Sequence, residues 1–366
     1  MLRSLCWVVV SLLFSINILV APVAAQEVVA ETSHEEKGYD PVRMIFDHIS
    51  DSHEWHVMTI GQAHITVPLP VILYSKERKQ LFCFLSSRFH HGHQDYNGFR
   101  MLVPEKGGPT EIAEISDSGE ILQEPIDFSI TKNVAGALFV CLLMVVVFVS
   151  LAKRYKRNPK KAPHGFQNFM EAIILFVRDD IAKPSISEKN LPRFVPILLT
   201  IFFFVLFCNL LGLIPIIPAG ANLTGNITVT MVLAMFTFLI TTFSGNKHYW
   251  ADIFNTPGVP TFLKFPIPLM PIVELSGMLT KPIVLMIRLF ANMLSGHMIV
   301  LVFFSMIFLF GAMTAAAAYG VSVLSVFFAV FMTLLDVLVS FIQAYVFTML
   351  SAMYFGMATA GHEAKH

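Results

Sequence analysis

The residues best able to do chemistry lie where a soluble protein would not put them. Between Ile272 and Phe310 the chain reads IVELSGMLTKPIVLMIRLFANMLSGHMIVLVFFSMIFLF. Glu274, Lys281 and Arg288 stand seven residues apart in this otherwise apolar run, and Ser295 continues the spacing. At about 100° per residue, seven steps return to within about 20° of the start, so a helix puts all four on one stripe. Asn292 follows Arg288 by four residues and falls on nearly the same face. His297, nine residues on, lies about 180° round and about 13 Å along the axis. No further formal charge appears until Asp336, which shares a helix face with Gln343 seven residues later.

One arginine, one histidine, one carboxylate and two amides at membrane depth form the inventory of a proton or ion path rather than of a catalytic triad. Arginine keeps its proton and is a fixed charge, whereas His and Asp exchange protons. An arginine deep in lipid costs at least ~2.5 kcal/mol, so Arg288 is expected to face a protein partner or a water-filled cavity. A plainer reading stays open for the others. Intramembrane His and Gln often only hydrogen-bond a neighbouring helix, and Asp336 can simply pair with Arg288 or His297.

The elements that position these residues must be membrane helices. The 366 residues are 55% hydrophobic and only 14% charged, the profile of a polytopic membrane protein. Formal net charge is zero, so nothing points to nucleic acid. Of four cysteines only Cys83 falls in a candidate soluble region, and no CxxC, zinc spacing or GxxxxGK[ST] loop is present. No cofactor and no metal is called for.

Residues 1–25 read as a secretory signal: Arg3, an apolar core from Trp7 to Val20, then Val23-Ala24-Ala25. An uncleaved anchor is the other reading; both place the next segment outside the cytoplasm. Residues 26–131 form a polar, small, mostly β extracytoplasmic module, with strand-like runs from His56 to Ser75 and a turn at Ser118-Gly119-Glu120 into Ile121-Leu122. Eight of the 13 histidines precede residue 94, including His90, His91 and His93; imidazole is a common metal ligand, and a solvated polar loop is the plainer account.

The membrane domain spans 132–360, with a cytoplasmic tail at 361–366. Val134 to Ala152 is long enough to cross a bilayer core of about 30 Å, and Lys153, Arg154, Lys156, Arg157, Lys160 and Lys161 after it mark the cytoplasmic side. Residues 163–190 suit a surface helix with Phe166, Phe169, Ile173, Phe176 and Val177 on its apolar face, ended by Pro184. Spanning helices are expected at about 194–214 and 227–243, with a short external loop between them. Asn209, inside the first, either lines an aqueous path or bonds a neighbour. Five prolines in 247–271 exclude a regular span there, leaving a cytoplasmic loop or re-entrant segment. Two long apolar runs follow, about 272–310 and 320–358. Wholly helical, 39 residues extend about 58 Å, so steep tilt, bending or projection must absorb the excess. The expected fold class is an all-α polytopic membrane protein with about five transmembrane helices. Two of them are long, strongly tilted, antiparallel C-terminal helices, and a surface helix and the mostly β N-terminal extension complete it.

Arg288-Leu289-Phe290-Ala291-Asn292-Met293 with Ser295-Gly296-His297 resembles the signature of subunit a of the F-type ATP synthase membrane sector. Glu274, Lys281-Pro282 and Gln343-Ala344-Tyr345-Val346-Phe347 also fit, and the resemblance runs from about 130 to 360. It implies a subunit beside a rotating ring of c subunits, with the b subunits of the peripheral stalk and the rest of the synthase as further partners, in a bacterial inner membrane. Arg288 matches the arginine between two aqueous half-channels, Asn292 and Gln343 match polar residues near it, and Glu274 belongs to the proton path. His297 and Asp336 match a half-channel pair in which family members carry Glu then His, or His then an acidic residue. The transported ion is implied to be the proton, with Na⁺ open because that choice rests on the ring. Such a subunit sets the path and direction and does not itself make ATP. A proton-coupled secondary transporter is the rival reading; it would show repeated halves, and no internal repeat is found.

Overall fold

A computed structural model describes residues 41–360 apart from 61–62, 93, 103, 105–107, 117–119, 158–161, 215–221, 255–268 and 312–314. The expected signal, the first part of the N-terminal module and the tail at 361–366 lie outside the described residues.

The N-terminal module begins with helix α1 (Pro41–Ile49) and continues as strands. β1 (Glu54–Ile60) and β2 (Ala63–Pro68) form an antiparallel hairpin. β3 (Pro70–Ser75), β4 (Gln80–Leu85) and β8 (Ile126–Asp127) make one three-stranded sheet in the order β4-β3-β8. β5 (Phe99–Leu102), β6 (Glu111–Ile115) and β7 (Ile121–Gln123) make another in sequence order. β1, β2 and β3 cover the β-branched run expected to form strands from His56 to Ser75, and β7 falls at the expected Ile121-Leu122. The two sheets enclose a small core of Val71, Leu73, Phe89, Phe99, Met101 and Ile112. Between them lies Glu114, buried on β6, which accepts from Ser75 Oγ at 2.8 Å and pairs with Arg78 Nε at 3.2 Å. Gly98, at φ +76°, lets the backbone pass the Arg78 guanidinium where a Cβ would stand 2.1 Å from it.

Five described helices are long and apolar enough to cross a membrane. They are α2 (Lys132–Arg157), α4 (Leu191–Gly212), α5 (Ile227–Ser244), α7 (Leu269–Gly311) and α8 (Ala315–Thr359). Between α2 and α4 lies α3 (Phe166–Phe176), followed by a π-helical stretch Val177–Ala182 and a turn Lys183–Ser185 that takes in Pro184. Its apolar residues divide: Phe166 and Phe169 are exposed, while Met170, Val177 and Ile181 are buried against the bundle. The short helix α6 (Lys247–Phe254) opens the proline-rich stretch, most of which lies outside the described residues.

Aromatic contacts tie the helices together. Phe148 of α2 meets Phe203 of α4 at 4.9 Å, and Phe194 of α4 stacks on Phe355 of α8 at 5.1 Å. α7 and α8 run antiparallel: Lys281 meets Tyr354, Asn292 meets Gln343, Gly296 meets Asp336 and Phe303 meets Phe328. Asn226 caps α5 by accepting from Thr228 N at 2.9 Å. Trp55 and Leu69 join the same apolar cluster as the helix bundle, and Lys132 N donates to Ser52 O, so the module is seated at the end where α2 begins.

Two substitutions test this packing in opposite directions. A Cβ at Gly356 would sit 1.9 Å from Ser185 O, a backbone atom that cannot swing aside. Gly356→Ala is therefore expected to cost at least ~1–3 kcal/mol, read as a lower thermal midpoint of the purified complex. At Gly277 nothing lies within 4 Å of the added atom. There Gly→Ala is expected to be neutral or to stabilise by up to ~1 kcal/mol.

A third test is electrostatic. Burial raises the Asp127 carboxyl, but hydrogen bonds from His53 Nε2 (2.7 Å) and Ser129 N (2.7 Å) outweigh it and hold the group below its ordinary value. A carboxyl depressed in the folded state stabilises the fold above its unfolded pKa and loses that contribution as pH falls through the folded value. The module is expected to weaken as pH drops below about 4, and Asp127→Asn should flatten that part of the pH–melting curve.

Candidate functional site

The site is built where α7 and α8 lie side by side. The face of α7 turned inward carries Met278, Leu285, Leu289, Met293 and Gly296, all buried. The facing stripe of α8 runs through Asp336, Ser340, Gln343, Phe347 and Ser351 at helical spacing, and these too are buried. Arg288 lies just off the inward face, exposed beside the exposed Ile287 and Val284. No carboxylate among the described residues pairs with its guanidinium.

Two polar clusters flank the arginine along α7. Seven residues earlier, about 10 Å along the axis, Lys281 places its ammonium 5.3 Å from the centre of the Tyr354 ring. Lys281 and Tyr354 line a narrow, largely apolar cleft with Thr237, Thr241, Tyr249, Met278 and Leu285. Pro282, which interrupts the hydrogen-bond ladder of α7, lines it as well.

Eight residues beyond Arg288, Gly296 meets Asp336. A Cβ there would stand 2.5 Å from Asp336 Oδ1, so the carboxyl packs directly on the α7 backbone. Asp336 is 7% exposed, and its Oδ2 is buried without a hydrogen-bond partner among the described residues. One turn on, Ser340 Oγ donates to Asp336 O at 2.7 Å. Asn209, fully buried on α4, reaches the same place: its Nδ2 donates weakly to Ser340 O at 3.5 Å and its Oδ1 accepts from Thr224 Oγ1 at 2.7 Å.

Between the clusters, Asn292 Nδ2 donates to Gln343 Oε1 at 3.0 Å, joining α7 and α8 one turn from Arg288. Ser295 Oγ donates to its own helix, at Asn292 O. Glu274 is exposed near the start of α7.

The four-residue stripe read from the sequence therefore divides. Glu274, Arg288 and Ser295 are exposed, while Lys281 turns partly inward to the cleft. Asp336 meets Gly296 rather than Arg288, and His297 is the next residue along. Asn209 sides with helix-to-helix bonding. Thr224, Ser340 and Tyr354 were missed; Ser340 alone had a signal, since it stands between Asp336 and Gln343 on their shared face. Among the described residues no three His, Cys, Asp or Glu side chains converge as a metal site.

The arrangement holds a fixed cation, buried polar groups on one side of it and a largely apolar cleft carrying Lys281 on the other. Residues 135–356 match the family model described as ATP synthase A chain, and residues 44–128 match a domain of unknown function. The ATP synthase subunit a of Chlorobium phaeobacteroides is 41% identical over 279 residues, covering 71% of this chain and 77% of that protein. ATP synthase subunit a 2 of Chlorobaculum tepidum is 44% identical over 66% of each chain. The subunit a of Chloroherpeton thalassium is 41% identical over 65% of this chain and 68% of its own.

Gly296→Ala isolates the closest approach in the site. The added methyl forces either Asp336 or the α7–α8 spacing to yield, at an expected ~1–3 kcal/mol. A melting midpoint equal to the parent's would mean that the two helices are not so tightly apposed.

Proposed function

The chain belongs to the ATP synthase subunit a family, and we propose that it conducts protons through two offset half-channels that meet at Arg288, beside a ring of c subunits. The observation that carries this reading is the exposed guanidinium on an apolar stretch of α7, with no carboxylate partner among the described residues. A cation there is costly in lipid unless a carboxylate from outside the chain comes to it. Each arriving ring carboxylate would have its pKa lowered by the fixed charge, favouring release of its proton. The same charge opposes direct passage of a proton from one half-channel to the other.

In this reading Asp336 and His297 belong to the path at the α2-entry end, and the cleft beside Lys281, with Glu274 near its mouth, belongs to the opposite path. Asn292 and Gln343 hold the two helices in register around the arginine. The basic cluster after α2 puts that opposite end, and the C-terminus, in the cytoplasm, and the N-terminal module outside. The lengths of α7 and α8 support a steep inclination along the ring. The b subunits and the remaining synthase complete the partners, in a bacterial inner membrane. The membrane potential supplies about 2.3 kcal/mol per charge per 100 mV. No particular observation favours the secondary-transporter reading.

Arg288→Ala is the decisive variant. Proton-driven ATP synthesis in inverted vesicles is expected to fall to background while the complex still assembles. Synthesis at the parent rate would refute the mechanism. Asp336→Leu is expected to slow passive proton flux through the membrane sector with assembly retained, and unchanged flux would reduce Asp336 to a packing residue.

A further inference from the structure

The β4-β3-β8 sheet has two faces of different use. One gives Val71, Leu73, Phe82 and Phe84 to the module core. The strand register places Ile72, Leu81, Cys83, Leu85 and Ile126 on the other, and Phe128 continues it, its N–H donating to Ile72 O at 2.9 Å. This second face carries no charged residue. Leu81 is 64% exposed, Leu85 49%, Phe128 45% and Ile126 40%. The outer face of the other sheet is different, since it carries the solvated Arg100–Asp95 pair at 2.7 Å. An antiparallel sheet normally turns one face to its core and a polar one to water. Here the second face is as apolar as the first, and contiguous exposed apolar surface of this kind marks an interaction surface.

Its position indicates the occupant. Four residues after Phe128 the chain enters α2, the first spanning helix. The intervening backbone is pinned to the sheet, with Ile130 N donating to Pro70 O at 3.0 Å. Trp55 and Leu69 bind the module to the helix bundle at the same end. The apolar face is thus continuous with the place where the chain enters the bilayer. Tyr74 adds an amphipathic ring to the face, the residue type favoured at membrane interfaces, and Lys76, Glu77 and Lys79 form a polar rim at its far end.

We propose that this face rests on lipid, at the boundary between headgroups and acyl chains of the leaflet that α2 enters. The module then lies on the membrane instead of standing free in solvent. The inference goes beyond the proton path and is independent of it: either can fail while the other stands.

Cys83 reports directly on the face, being exposed at its centre while Cys141 and Cys208 are buried. A polarity-sensitive fluorophore is attached to Cys83 in the assembled complex, with competing cysteines elsewhere replaced. The complex is placed in phosphatidylcholine–phosphatidylglycerol vesicles with and without brominated acyl chains. Glu111→Cys, exposed at the end of β6, serves as the water-side control, and Leu85→Cys repeats the measurement nearer α2. Emission from positions 83 and 85 is expected to be blue-shifted and quenched by brominated lipid several-fold more than at 111. A charged maleimide should also react several-fold more slowly at 83 than at 111. Water-like emission with fast maleimide reaction would overturn the proposal in favour of a solvated face. Slow reaction without quenching by brominated lipid would overturn it in favour of a protein covering.

Discussion

A guanidinium in hydrocarbon has no favourable place to be unless something brings it water or a counter-charge, and the membrane domain is arranged around that constraint. Arg288 cannot shed its proton, and no described carboxylate of its own chain neutralises it. It stands exposed on α7 beside the apolar Val284 and Ile287. On the proposed reading, a ring of carboxylates moving past this surface would satisfy the requirement repeatedly, which a fixed internal salt bridge would prevent.

Holding the arginine there requires the rest of α7 to be clamped from the other side. The clamp combines large apolar residues, Leu285, Leu289 and Met293, with two close polar contacts to α8. The Asn292–Gln343 bond fixes the register of the two helices, since a slip of one residue on either would separate the amides. The Gly296–Asp336 approach fixes their separation, since the absent side chain is what lets the carboxyl in. An aspartate, shorter than glutamate, suits a position where its helix already lies against its neighbour. The buried Oδ2, without a hydrogen-bond partner among the described residues, costs stability. Its neighbours Ser340 and Asn209 bind through backbone carbonyls and a hydroxyl and make no bond to that oxygen.

The N-terminal module shows the limits of reading outward from known chemistry. Its histidines left a metal site open beside the plainer reading of a solvated loop, and among the described ones His53 is used for structure. His53 bridges Thr110 and Asp127 at the junction with the bundle. What distinguishes the module is instead a sheet with two apolar faces, a property invisible until the register of β3, β4 and β8 is known. Alternation along β4 alone shows only that two sets of residues exist, both of them largely apolar.

The number, type and approximate bounds of the membrane helices were already determined by the one-dimensional chain. Whether a run of apolar residues can span a fixed thickness of hydrocarbon depends on its length and composition, both local quantities. The heptad spacing of Glu274, Lys281 and Arg288 was likewise plain, as was the pairing of Asp336 with Gln343 on one face. Only the tertiary structure decided which polar groups meet. It sent Lys281 to Tyr354, set Asp336 against Gly296 instead of Arg288, tied Asn209 to Ser340, and turned the helix after Phe176 into a π-helical stretch. Those choices follow from the rotation and register that let the side chains of neighbouring helices interlock. Packing of that kind is a property of volumes summed over several segments, and no spacing within a single segment contains it.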